Sequence, residues 1–210
     1  MKFHPRILIS VYRRLFLSPI KSVKNHLQFF YRFFLPNISV FYNNRINYKN
    51  KPVCSQKIHL TGLGKVSIGR DCSLGYKLGG YVRGAGIELQ TRMEEAQIII
   101  GDNVFINNNL FICSSNYIEI GANSLIGQQV TIMDFEAHGI LAEQRRNVGE
   151  IGKVILGENC WIGNNVTILK NSVIGKNSIV ATGAVVSGQF PDNVIIGGIP
   201  AKILKDLPQK

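Results

Sequence analysis

The sequence predicts an all-β chain wound as a coiled parallel β-structure and preceded by an N-terminal amphipathic helical extension. Three observations predict it. An aliphatic residue recurs every six positions through the C-terminal part of the chain, and a small or modest residue stands four positions after each. Charge and aromatic content also divide the chain into two unlike parts. With 210 residues, 45% of them hydrophobic and 18% charged, the chain has the composition to bury a core and is not wholly disordered.

The extension, residues 1–52, is the basic part. The first 70 residues hold 13 Lys and Arg and no acid before Asp71, so the net +11 divides into +13 there and −2 over the remainder. Of the 19 aromatic residues, 11 precede residue 53, which describes a near-neutral body behind a basic, aromatic segment. Ile20, Val23, Leu27, Phe30, Tyr31 and Phe34 fall on one stripe of a helix, with Lys21, Lys24, Gln28 and Arg32 off it. Ile7, Leu8, Val11 and Leu15 make a shorter stripe, separated from the first by Ser18 and Pro19, and a loop rich in Asn and Lys follows. Such a stripe serves either of two ends. Residues 1–36 can lie in the plane of an anionic cytoplasmic leaflet, where each basic residue adds about 1 kcal/mol, or the helices can cap the body or a neighbouring subunit. No nucleic-acid-binding motif accompanies the charge, so nucleic acid is not an expected partner.

No export or spanning signal is expected in the same segment. Arg13 and Arg14 interrupt the apolar run from Ile7 to Pro19, and the run from Leu27 to Leu35 contains Arg32 and stops at Pro36. Cys54, Cys72, Cys113 and Cys160 are far apart and form no CxxC pair, so neither a zinc site nor a redox pair is expected and a cytoplasmic location fits.

The body, residues 53–205, is set by the repeat, with residues 206–210 left as a tail. Leu156, Ile162, Ile168, Ile174, Val180 and Val186 are six apart without a break, and Cys160, Val166, Ser172, Ser178 and Ala184 follow at the fourth position. Ile100, Ile106, Ile112 and Ile118 keep the same spacing, which shifts by two and resumes at Ile120, Ile126 and Ile132. Ile68, Cys72 and Leu74 are a frayed version upstream. Six matches neither a 3.6-residue helix nor plain strand alternation. It fits one short strand and a turn per repeat, the aliphatic pointing inward and Gly or Asn tolerating the corner. Stacked coils then bury a core that no single repeat could make.

These repeats resemble those of the hexapeptide-repeat acyltransferases, within them the galactoside and maltose O-acetyltransferases and the O-acetyltransferases of polysaccharide biosynthesis. The likeness covers residues 66–205 and includes the turn Asn107, Asn108, Asn109 and Leu110, the block Cys160, Trp161, Ile162 and Gly163, and the ending Ile196 to Ile203. It implies a left-handed parallel β-helix of triangular section, assembled as a homotrimer with active sites between subunits. It also implies acetyl-CoA as co-substrate, no metal, and a sugar or lipid-linked glycan as acceptor.

The hexads stop at Met133 and return after Lys153, so residues 133–153 must form an external loop. Ordered loops on rigid scaffolds are where binding groups concentrate. This loop holds Asp134, Glu136 and His138, then Arg145 and Arg146. His138 is the only histidine between the first hexads and the last, at the large interruption in them, since His4 and His26 lie in the extension and His59 just before the hexads. If the loop begins extended, Asp134, Glu136 and His138 project to one side. Transfer of an acyl group from a thioester to a hydroxyl needs a base, and an imidazole titrates in the right range. Asp134 or Glu136 would fix its tautomer, or bind acceptor hydroxyls. No Ser or Cys beside the histidine suggests an acyl-enzyme.

The resemblance points the same way, to His138 as a general base for direct transfer. It matches Asn107 to an asparagine that contacts the acceptor, although Asn at a coil corner also serves the turn itself. Arg145 and Arg146 face an anionic sugar or phosphate, or solvent. For acetyl-CoA it implies backbone contacts near Gly163, Asn164, Thr182 and Gly183, phosphate contacts from Lys202 and Lys205, and Trp161 either on the cleft wall or shielding the coil. Two departures stand out. Glu136 replaces the second Asp of the usual Asp-x-Asp-x-His, and Leu169, Lys170 and Asn171 stand where relatives carry Asn-Pro-Gly. A β-helical carbonic anhydrase would need three histidine ligands, and serine acetyltransferases carry a large acidic helical domain in place of this basic segment. N-acetylation of an amino sugar and a non-catalytic scaffold are the rival functions.

Overall fold

In a computed structural model, the chain is described over residues 30–76 and 86–208, together with Val23 and Leu27. The expected helix around Ile7 to Leu15 lies outside the described residues; of the Ile20 to Phe34 stripe only Ile20 does, and Val23, Leu27 and Phe30–Phe34 are helical. The body is a left-handed parallel β-helix. Its strands fall into a seven-stranded, an eight-stranded and a six-stranded sheet, called here sheets A, B and C, and successive strands visit them in turn. A coil is therefore three short strands joined by three corners.

The hexad aliphatics stack directly over one another inside. Leu74, Ile106, Ile126, Ile162, Val180 and Ile196 pair in register down sheet B. Leu89, Ile112, Ile132, Ile168 and Val186 do so down sheet C. All are buried, as are the small residues at the fourth position, Cys160, Val166, Ser172, Ser178 and Ala184. The apparent shift between Ile118 and Ile120 arises because Tyr117–Ile120 in sheet A turns both isoleucines inward, as Gln97–Ile100 does with Ile98 and Ile100. A strand of four residues places two side chains of one parity on the core face.

The corners explain the asparagines. Asp71, Asn103, Asn123, Asn159, Asn177 and Asn193 all have positive φ, where only Gly, Asn and Asp fit cheaply. Each of these Asn amides donates to a carbonyl of the coil before it, which stacks them along the corner between sheets A and B. Their side chains add a ladder, with Asn159 donating to Asn177 at 3.0 Å and Asn177 to Asn193 at 3.0 Å.

Each end carries a segment that covers part of it. At the start, Val40 and Phe41 enter the core, and Asn37 is fully buried, donating to the carbonyl of Gln56 and accepting from the amide of Ile58. The first coil begins at Ile46–Tyr48, which pairs with Lys65–Ile68, so a stretch expected as loop in the extension is already strand. At the far end, Ala201–Asp206 folds back antiparallel on Val194–Gly198, carrying regular structure to Asp206, the first residue of the expected tail. Among the described residues no helix is long and apolar enough to cross a membrane.

The corner ladder yields a test. Asn177→Gly keeps the left-handed conformation and loses only side-chain bonds, whereas Asn177→Val adds backbone strain. Urea unfolding at fixed protein concentration should show a loss of about 1 kcal/mol for the first and about 2–3 kcal/mol for the second.

Candidate active site

The interruption in the repeat is an ordered hairpin standing on the corner between sheets C and A. It leaves after Thr131–Met133 and rejoins at Lys153–Leu156. Its arms are joined by Phe135 bridging to Ile151, by the Glu136 amide donating to Glu150 at 2.9 Å, and by the Gly149 amide donating to Glu136 at 3.0 Å. Gly139 donates to Asn147 at 2.8 Å, and Ala142–Gln144 makes one 3-10 turn at the tip. Gly149 is required here, because a Cβ at that position would lie 2.6 Å from the carbonyl of His138.

His138 is exposed, and its Nδ1 lies 2.9 Å from the carbonyl oxygen of Arg145. A carbonyl only accepts, so Nδ1 carries the hydrogen and Nε2 holds the free lone pair. The partner that fixes the tautomer is thus a backbone carbonyl across the hairpin rather than a carboxylate. Arg145 contributes through its backbone, while its guanidinium donates to the carbonyl of Ile140 at 2.8 Å; Arg146 is exposed.

The two expected carboxylate partners are engaged elsewhere, which corrects the expectation that they share a face with His138. Asp134 is fully buried and accepts from the Ser114 hydroxyl at 2.6 Å, the Ser115 amide at 2.7 Å and the Asn116 amide at 3.0 Å. It caps the corner of the preceding coil. The chain is not extended in simple alternation there, because Asp134 turns into that corner before the hairpin starts. Glu136 lies 3.3 Å from the ammonium of Lys170, which also meets Glu150 at 2.5 Å. Lys170 went unrecognised in the sequence. The departure at Leu169, Lys170 and Asn171 marked the position, but nothing in the spacing reveals partners on the far side of a hairpin.

A second set of expected residues gathers on sheet B. Asn107, Trp161 and Asn164 line a groove of about 260 Å³ with Phe105, Leu125 and Gly127. Phe105, Leu125 and Trp161 are exposed and stack in register, forming an apolar stripe down the sheet. Asn107 uses its side-chain oxygen to accept from the Asn108 amide at 2.8 Å, so its turn role is real. Gly163, Asn164, Thr182 and Gly183 are neighbours at the next corner: a Cβ on Gly163 would lie 2.6 Å from the Thr182 nitrogen, and the Gly183 amide donates to Asn164. Those two glycines differ in purpose, since Gly183 has φ +75° and open space around it. Lys202 and Lys205 are exposed on the final strand. No residue of the hairpin lines the sheet B groove. A larger hollow of about 590 Å³ lies over sheet A, around Asp102, Glu119 and Lys49, and contains none of the expected site residues.

Other chemistry is not assembled among the described residues. No three of His, Cys, Asp and Glu gather as metal ligands there. All four cysteines are buried and unpaired in disulfides. Burial pushes the Cys54 thiol up to about 12 and the Cys160 thiol up to about 11, and raises Cys72 and Cys113 as well. Thiols so placed stay protonated near neutrality and are poor nucleophiles.

Residues 153–188 match the family model described as Bacterial transferase hexapeptide (six repeats). These residues match that model as hexapeptide repeats. They run from the strand that receives the hairpin to just past Val185–Val186 in sheet C. Beyond the repeats, the chain is 29% identical over 172 residues to a provisionally named lipopolysaccharide biosynthesis O-acetyl transferase of Escherichia coli (strain K12), WbbJ, covering 77% of this chain and 82% of that protein. It is 34% identical over 114 residues to galactoside O-acetyltransferase of the same organism, covering 53% of this chain and 55% of that one. Among solved structures, a hexapeptide-repeat acetyltransferase of Vibrio cholerae complexed with acetyl coenzyme A is 32% identical, covers 53% of this chain and 61% of that chain, and superposes with a TM-score of 0.51. The matched part thus spans little more than half of the galactoside enzyme and about three fifths of the Vibrio chain. All three are named as acetyltransferases.

The thiol environment yields a test. In native protein at pH 8 the four cysteines should react with a disulfide reagent far more slowly than free cysteine, and all should titrate once the protein is unfolded in guanidinium; fast native reaction would contradict the packing of the coil interior.

Proposed function

We propose that the chain is an acetyl-CoA-dependent O-acetyltransferase acting on a sugar hydroxyl of a glycan or glycolipid intermediate in cell-surface polysaccharide assembly. The observation that carries this reading is the bond from His138 Nδ1 to the carbonyl of Arg145, which leaves Nε2 as a proton acceptor on an exposed ring. Nε2 takes the hydroxyl proton as the sugar oxygen attacks the thioester carbonyl. The tetrahedral intermediate then expels coenzyme A, the C–S bond breaks, and the imidazolium returns the proton to the leaving sulfur. The Arg145 carbonyl supports the cationic ring in that step, as a carboxylate would elsewhere.

The co-substrate belongs in this reading on sheet B. The apolar stripe around Trp161 suits the pantetheine arm, Asn164, Gly163, Thr182 and Gly183 form the groove's continuation, and Lys202 and Lys205 supply positive charge for phosphates. Asn107 faces the acceptor. Within one chain the hairpin and this groove do not share a wall. A homotrimer, in which the hairpin of one copy reaches the groove of the next, would unite them. Arg145 and Arg146 on the hairpin suit an acidic acceptor. Relatives named for lipopolysaccharide biosynthesis and for a galactoside support the sugar acceptor. The basic residues 1–36 would hold the enzyme at the inner face of an anionic membrane, where lipid-linked glycans are built.

Two measurements test this. Coenzyme A release from acetyl-CoA, with soluble and lipid-linked glycans and amino sugars as acceptors, should fall by about 10²–10⁴-fold in His138→Ala. Equal release from both proteins would remove His138 as the base, and no release with any acceptor would favour a scaffold. Full-length protein should also sediment with anionic vesicles but not with neutral ones, and less so at high salt; indifference to vesicle charge would overturn the membrane assignment.

A further inference from the structure

We infer that Lys170 is a positioning residue that clamps both arms of the hairpin to the coil and so sets where the His138 imidazole stands. The inference rests on the reading of His138 as the base. Lys170 rises from the corner after Thr167–Ile168, the strand that stacks directly on Thr131–Met133, where the hairpin departs. Its side chain is only 20% exposed, so the ammonium is held rather than free to swing. It meets Glu136 on the outgoing arm at 3.3 Å and Glu150 on the returning arm at 2.5 Å.

Asn171 reinforces the grip, donating to the second oxygen of Glu150 at 3.0 Å. Its side chain packs against Gly152 at the hairpin base, in the space a Cβ there would take. Pairing lowers the Glu150 carboxyl below its usual range and raises the Lys170 ammonium, keeping both charged at neutral pH. Glu136 and Glu150 face one another across the hairpin, the amide of one donating to the carbonyl of the other. Two carboxylates at that spacing repel, and Lys170 is the cation between them. Glu136 is two residues from His138 on the same arm, so splaying at Glu136 moves the imidazole and the Arg145 carbonyl apart.

The test compares Lys170→Met, which keeps the apolar stem, with Lys170→Arg, which keeps the charge. Lys170→Met should lower kcat by about tenfold or more, since small misplacement of a reacting group is costly, while KM for acetyl-CoA stays within about twofold. Lys170→Arg should recover most of the loss, and so should Glu150→Gln placed in the Lys170→Met background, which removes the repulsion. Hydrogen exchange gives a reading independent of turnover: the amides of Glu136, Gly139 and Gly149 should exchange faster in Lys170→Met than in the parent and return toward it in Lys170→Arg. Unchanged exchange at those amides, or an unchanged kcat beside a His138→Ala variant that has lost activity, would overturn the inference. If His138→Ala were fully active, the base assignment would fail and the exchange measurement would still decide whether Lys170 clamps the hairpin.

Discussion

Register between coils is the constraint on which everything else in this protein depends. Each inward side chain rests on its counterpart in the coils above and below, as Ile126 does between Ile106 and Ile162. A coil one residue too long would turn its hydrophobic set outward. The chain can therefore vary length only at corners, and only by sending extra residues outside. The hairpin after Met133 is such an excursion, and it leaves the pairing of Ile132 with Ile168 undisturbed. A rigid stack whose extra length leaves only at a corner is a good foundation for a side chain that must be held in a fixed place.

The corner residues make that register possible. A left-handed backbone at the same point of successive coils lets the chain turn sharply while its amide still reaches the previous coil. Asparagine meets this need and adds side-chain bonds along the axis, which glycine would not. The glycines that follow the sheet A strands answer a different demand. A Cβ on Gly121 would lie 2.4 Å from the carbonyl carbon of Gly157, so small residues must sit on small residues as the coils close up.

Much of this was legible in the sequence because it is periodic. The six-residue spacing announced the core, the small fourth residue its tight interior, and the gap after Ile132 the excursion. What was hidden depends on contacts without a period. Ile46 and Tyr48 form the first strand although no hexad surrounds them, because pairing with Lys65–Ile68 completes a coil that the sequence does not mark. Alternation placed Asp134 beside His138, yet the corner at Ser114 to Asn116 presents several donors that a buried carboxylate satisfies, and that demand outweighs simple extension. Glu136 has a cation in reach, so its longer side chain goes to Lys170. The imidazole is left with a backbone carbonyl as partner, and backbone partners leave no trace in residue identity.

A stack of parallel strands is in principle a polymer, since each coil offers the next the same edge it received. Nothing in the repeat itself specifies how many coils there should be. Length is fixed by the two ends: Asn37 occupies the amide and carbonyl groups near Gln56 and Ile58, and Ala201–Asp206 reverses direction and covers the last sheet B strand. These segments obstruct addition along the axis at one sheet edge on each side, the first strand of sheet C and the last of sheet B, while the lateral faces carry the groove and the hairpin.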